Sequence, residues 1–223
     1  MVAVAPTPLN PTRQTGSSAG QLTVAPIADG RHDGVMVDIS LAGALLVASP
    51  ALDDPNFART VILLLDHDAE GALGVVLNRP TDVSAEDALP RWAEVASAPA
   101  VVHVGGPVTP DAVVCLGRIR RGRAGDPPEG WLPLTGPVGA VDLDTEPDDL
   151  VDQLDAFRVF AGYSGWGPGQ LEAEVRLGGW LVLGAEPDDA FSEEPETLWS
   201  RVLRRQGGEL AFMHTMPLDP TQN

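Results

Sequence analysis

The chain has 223 residues with 32 acidic and 14 basic side chains, a formal charge of −18 that argues against the polyanionic partners, nucleic acid and anionic lipid, which need a basic face. Its length and its 43% hydrophobic content support one packed domain, and exclude global disorder. No apolar run approaches the ~20 residues that span a bilayer, and the single cysteine, Cys115, excludes an internal disulfide.

Residues 1–36 are rich in Ala, Pro, Thr, Ser and Gly without periodicity and read as a disordered tail. The domain is expected over 37–217, with 218–223 as a C-terminal tail. The N-terminus has no basic n-region, and prolines interrupt its apolar residues. It makes a poor signal peptide, so a cytoplasmic location is expected. A first strand is predicted over Gly43–Ala48, followed by turn material from Pro50 to Asn56. Thr60–Leu65 and Leu73–Asn78 are nearly continuous apolar runs joined by Asp66–Gly71, which predicts a central hairpin with both faces covered. Ser84, with Asp87 three residues on, resembles a capping box and predicts a helix to about Val95 that buries Leu89 and Trp92.

Val101–Val104 and Val113–Ile119 read as strands, residues 121–137 as a Gly- and Pro-rich loop, and Val138–Leu143 as a short strand. An acidic helix is predicted from Pro147 to Leu154. Arg158–Phe160 forms a strand entering the glycine loop Ala161–Gly169, and a helix follows over 170–177. Trp180–Leu183 and Glu196–Arg205 give a last strand and a last helix. Mixed strands and helices with hairpins point to one α+β domain.

The glycine loop is the strongest candidate site. A strand that enters such a loop and leaves as a helix presents unpaired N–H groups at a pocket mouth. Gly162 and Gly167 have the spacing of a phosphate loop, but Pro168-Gly169 replaces the Lys-Ser/Thr needed to reach phosphate and Mg²⁺. A weaker anion or carboxylate site stays open, beside a tight turn with Tyr163 and Trp166 packed as core. Ser164 is the candidate nucleophile of a strand–turn–helix elbow whose final glycine is replaced by Trp166. Its partner would be His67, His103 or His214.

Asp66–Gly71 has acids at the first, third and fifth positions of a calcium loop, but Leu77 stands where a bidentate Glu is required, so a polar hairpin tip is the better reading. The scattered histidines give no zinc spacing. Arg118, Arg120, Arg121 and Arg123 are either a phosphate patch or a solvated loop balancing acidic neighbours. Arg59 either caps a structural carboxylate or offers a fork to an anionic ligand. No cofactor or metal is expected.

Five segments occur together in order: Leu46–Pro50, Asp54–Val61, Gly71–Pro80, Gly105–Val108, and Gly162–Trp166 with Gly169–Glu172. In this the chain resembles the AlgH-like (YqgE) family of bacterial proteins, over about residues 40–217. The resemblance implies a bifurcated or barrel-like β-sheet surrounded by helices, and no catalytic residues. The family's name implies transcriptional regulation, indirect or through DNA.

The leading expectation is a non-catalytic protein that binds a small molecule or a protein partner. Its site is placed where Arg59, Asn78, Tyr163, Trp166 and Gln170 converge over the glycine loop, with Gly105, Gly106 and Ser164 beside them. The alternatives are a transcriptional regulator and a serine hydrolase using Ser164.

Overall fold

A computed structural model describes residues 40–122 and 126–216. The expected tails at 1–36 and 218–223, and Arg123 of the basic cluster, lie outside the described residues. The described chain is an α+β domain built on a curled, largely antiparallel sheet. Strands β1 (Ala44–Ala48), β2 (Val61–Asp68) and β3 (Gly71–Val76) form a meander. They are followed by β4 (Pro80–Ser84), helix α1 (Ala85–Ala88), β5 (Val101–Val104), β6 (Val108–Ile119), β7 (Trp131–Thr135) and β8 (Val138–Val141). Helix α2 (Pro147–Val151), β9 (Leu154–Trp166), α3 (Gln170–Arg176), β10 (Trp180–Gly184), α4 (Leu198–Gln206) and α5 (Gly208–Met213) complete it.

The strand order is β10-β1-β2-β3-β9-β6-β8-β7, with β5 also on β9 and β4 on β5. The continuous apolar runs of β1 and β2 are explained by cover on both faces, as buried strands require. Leu45, Val47 and Leu63 pack with Leu198, Trp199, Val202 and Leu203 of α4. Their sequence neighbours Leu46, Ile62 and Leu64 face Trp166, Leu171 and Trp180 on the other side. A third cluster joins Val102, Cys115, Phe157 and Val159 to Trp92, Trp131 and Leu150.

The long strand β9 is where the sheet divides. One edge pairs with β6 from Leu154 to Tyr163. Its other edge pairs parallel with β5 at Phe160 and Ala161, then antiparallel with β3 at Ser164–Trp166. Gly105 bridges the fork: its N–H donates to the Ala161 carbonyl at 2.8 Å, and its carbonyl accepts from the Val76 N–H at 2.8 Å. Three backbones therefore meet without room for side chains. A Cβ on Gly105 would lie 2.3 Å from the Gly162 carbonyl oxygen, and one on Gly106 2.3 Å from the Tyr163 carbonyl. Gly162 itself has φ +71° and lies opposite the register shift between Val108 and Val113 of β6.

Several expectations are corrected. The predicted glycine loop is strand up to Trp166, its backbone paired with β3, β5 and β6, so only Gly167-Pro168-Gly169 turns into α3. Asn78-Arg79-Pro80 leads directly into β4, which was not foreseen. Pro90 ends α1 and opens a tighter 3-10 turn over Pro90–Val95, and the Ser84 hydroxyl caps the Glu86 N–H at 3.1 Å. The predicted loop at 121–137 contains β7, an edge strand that tolerates Pro133 and is anchored by Trp131, whose Nε1 donates to the Gly117 carbonyl at 3.0 Å. The strand expected to Leu143 stops at Val141 and the acidic helix stops at Val151, because Leu154 already starts β9. The helix predicted over Glu196–Arg205 is present as a 3-10 turn and α4, and a further helix not foreseen, α5, follows beyond Gly207, whose φ is +71°.

Gly105→Ala and Gly106→Ala should each cost on the order of 3 kcal/mol by forcing the fork apart. Gly136→Ala should cost only about 1 kcal/mol, because φ there is +52° but nothing lies within 4 Å. Urea unfolding of the three variants checks this, and equal losses would contradict the fork.

Candidate functional site

The structure sorts the expected site residues into three groups. At the fork, Gly105 and Gly106 lie against Tyr163 and Ser164, both buried. The Ser164 hydroxyl donates to the Gly105 carbonyl at 3.2 Å and is fully enclosed. A nucleophile needs access to substrate and a base in reach, so the elbow geometry behind the hydrolase reading is not what the chain builds.

The second group ties β2 to the turn after β3. Asn78 is buried; its Oδ1 accepts the Val61 N–H at 2.9 Å, and its Nδ2 donates to the Arg59 carbonyl at 2.9 Å. Arg59 holds φ +55°, a strained conformation for a residue with a side chain. Its guanidinium stacks 4.7 Å from the Trp199 ring centroid and donates to the Met216 carbonyl. Arg59 is half-buried, and its guanidinium is engaged by a ring and a carbonyl and not by a carboxylate.

The third group surrounds Glu174 on α3. Trp166 Nε1 and Trp180 Nε1 donate to one carboxylate oxygen at 3.0 and 2.9 Å, and Gln170 Nε2 donates to the other at 2.9 Å. Gln170 Oε1 accepts the Gly167 N–H at 3.1 Å, one of the amides that the phosphate-loop reading left free. Phe57 packs on both indoles, at centroid distances of 6.4 and 5.6 Å, and so joins the Asp54–Val61 motif to this group. The eight residues are adjacent within each group, and the groups are spent on main-chain, ring and Glu174 carboxylate contacts.

Other candidates are similarly occupied. In the acidic hairpin tip, Asp66 accepts the His67 N–H at 2.9 Å and Asp68 the Glu70 N–H at 2.8 Å, both serving the turn. The His67 ring lies between the Leu41 N–H, at 3.1 Å on Nδ1, and Glu172, at 2.9 Å on Nε2. Burial pushes the Cys115 thiol up to about 12, which leaves it protonated and inert at neutral pH. Arg118 of the basic cluster bonds Asp155 and Asp188, and Arg120 bonds the Asp152 carbonyl, which is the charge-balancing reading. Among the described residues no set of three or more His, Cys, Asp or Glu is placed to hold a metal ion, and no helix is long and apolar enough to cross a membrane.

The open concavity lies elsewhere and was not foreseen. It measures about 790 Å³ and opens between the Ser97–Ala98 loop, the segment from Glu186 to Glu194, and α4. Arg118 bridges Asp155 and Asp188, stacked 5.5 Å from the Phe191 ring. Arg205 holds Asp189 at 2.6 Å and Glu186 at 3.5 Å. Ser192 is one of the lining residues, but its hydroxyl is closed to solvent and has no hydrogen-bond partner.

Bonded to two of the lining residues is Arg158, 2% exposed. Its Nη1 donates to the Ser192 carbonyl at 3.0 Å and its Nη2 to the Ala98 carbonyl at 2.7 Å. Burial alone lowers this guanidinium, to about 10, so it stays charged at neutral pH. One signal in the sequence marks it: an arginine in the centre of the apolar run Ala156–Ala161. A buried charge at such a position has to be answered by the fold.

The sequence profile of the AlgH-like family matches residues 45–211, three quarters of the chain. The chain belongs to the AlgH-like family. Among its AlgH-like relatives, a UPF0301 protein of Streptomyces coelicolor is 53% identical over 185 residues, covering 82% of this chain and 96% of that protein. One from Thermobifida fusca is 51% identical over 194 residues, covering 83% and 96%. Two solved structures share the AlgH-like fold. Protein DIP2367 of Corynebacterium diphtheriae superposes with a TM-score of 0.74 at 31% identity, covering 78% of this chain and 92% of that one. The AlgH protein of Pseudomonas aeruginosa gives 0.58 at 28% identity, covering 84% and 98%.

His103 on β5 is fully buried; its Nδ1 lies 3.2 Å from the Val101 carbonyl, and its Nε2 has no partner. Burial first, and the Arg158 charge second, push it down to about 4. The unfolded chain, with an ordinary histidine near 6.5, then binds more protons than the fold between those values. Stability is full above about pH 6.5 and falls on acidification towards pH 4, by roughly 3 kcal/mol. Urea unfolding across this range should give a flatter profile for His103→Phe than for the parent chain. Parallel profiles would contradict the assignment.

Proposed function

We propose that this chain is a non-catalytic binding domain for a small molecule or a protein partner, with a regulatory role, and that its site is the concavity beneath residues 186–194. The observation that carries this reading is the cavity of about 790 Å³, in which Arg118, Arg201 and Arg205 share the lining with Phe191 and several carboxylates. That volume falls in the range of small-molecule pockets. The non-catalytic part is supported by the enclosure of Ser164, the candidate nucleophile, and by that of Cys115. The acidic surface supports a partner other than DNA.

Screening the full chain against a metabolite collection by thermal shift, followed by amide NMR of the hits, tests this reading. Shift changes centred on Ser97, Ala98, Phe191 and Ser192 are expected. Changes confined to Arg59, Trp166 and Gln170 would move the site back to the motif residues, and a screen without a saturable ligand would overturn the small-molecule reading.

A further inference from the structure

We infer that β10 is a strand-addition edge whose occupant is a second copy of this chain, the two β10 strands pairing antiparallel about a two-fold axis at Leu181.

The inference follows from how the sheet ends. Among the described residues β4, β7 and β10 each have a strand neighbour on one side only. Such an edge offers unpaired N–H and C=O groups to any extended chain, and proteins blunt it with proline, charge or a bulge. β7 carries Pro133 and a register shift between Pro133 and Thr135. β4 carries Pro80, Asp82 and a register shift between Pro80 and Ser84. β10 has none of these devices. Residues 177–185 contain no charged side chain and no proline, and β10 pairs with β1 from Trp180 to Gly184 without a shift. Leu181, Val182 and Leu183 stay half-exposed, and Leu177, just before the strand, is 86% exposed. An apolar stretch left open beside an unpaired edge marks a contact surface.

The phase of the backbone fixes how a copy pairs. The Ser49 N–H donates to the Gly179 carbonyl at 2.9 Å, which continues the ladder between β1 and β10. Alternation then turns the backbone groups of Leu181 and Leu183 towards β1, and those of Trp180, Val182 and Gly184 outwards. The Gly184 carbonyl is taken by Arg205 Nη2 at 3.0 Å. Trp180 and Val182 remain, and among the described residues no other backbone group bonds them from the outer side. Setting Trp180 against Val182 of a second copy, and the reverse, satisfies their N–H and C=O groups. It leaves the bond from Arg205 to Gly184 intact and places Leu181 opposite itself.

A copy fits this edge better than a free extended peptide. β10 is apolar on both faces, with Leu181 and Leu183 on the α4 side and Val182 on the α3 side. A strand added to it needs cover on both faces. A second copy brings its own α3 and α4, and a peptide brings neither. The ends match as well: Arg176 precedes the strand and Glu186 follows it, both exposed. Antiparallel pairing sets each at the oppositely charged end of the copy.

Sedimentation velocity of the full chain over about a hundredfold range of concentration, at an ionic strength that screens its charge, tests this. A reversible equilibrium between monomer and dimer is expected. Val182→Pro removes an outward N–H that an isolated edge does not use, and should weaken the dimer on the order of tenfold or more. Leu177→Ser, at an exposed position, should weaken it by a smaller factor. Hydrogen exchange of the parent chain is a second measurement that stands even where Val182→Pro does not fold. The Trp180 and Val182 amides should be protected in the dimer and exchange freely on dilution. A monomer at every concentration would overturn the inference, as would a dimer that neither variant weakens. Protection of Trp180 and Val182 that persists in the monomer, as cover by residues 1–39 would give, would overturn it too.

Discussion

The structure depends on a close approach of backbones. Where β9 leaves β5 and takes up β3, the Gly105-Gly106 turn is pressed against Gly162–Ser164 with Cβ clearances of 2.3 Å, closer than any side chain permits. The fork puts β5 and β3 on the same edge of one strand, which lets a single sheet cover three apolar clusters. It also fixes the exit of β9 towards α3, where the Glu174 carboxylate holds two indoles and Gln170. The motif residues are thus mostly the means of making the fork and its two ends. Packing at this density leaves them little chemistry to offer.

The parts of the fold legible in the sequence are those governed by local pattern. The apolar runs of β2 and β3 announced a hairpin covered on both faces, Gly43–Ala48 announced β1, and Gly169 and Gly178 bracket α3 as a short helix should be bracketed. What was not legible needed a partner from far away. Glycines in Gly162–Gly169 read as a loop because sequence shows permissive backbone but not the chain lying across it; Gly105, 57 residues from Gly162 in the numbering, is that chain. Likewise Pro133 reads as a breaker until β7 is known to be an edge.

The candidate site shows the same division. Arg59, Asn78, Ser164, Trp166 and Gln170 were chosen because polar residues at strand ends often form sites, and each instead satisfies a carbonyl, an amide or a carboxylate of the scaffold. The acidic segment 186–194 drew no attention because carboxylates in an acidic chain look like solvated surface. Its significance comes from what it lies over, the Arg158 guanidinium carried by the apolar middle of β9. One strand therefore supplies both the fork glycine and the buried cation, and so links the fold's central constraint to its open cavity.

Native-state hydrogen exchange at the fork tests this account most directly. Amides of Val76 and Gly105, donating across β3, the turn and β9, should exchange only with global unfolding, while Gly167 in the turn before α3 should exchange through local opening. If Val76 and Gly105 instead exchange as readily as Gly167, the glycine turn is a mobile loop and the fork does not hold the sheet together.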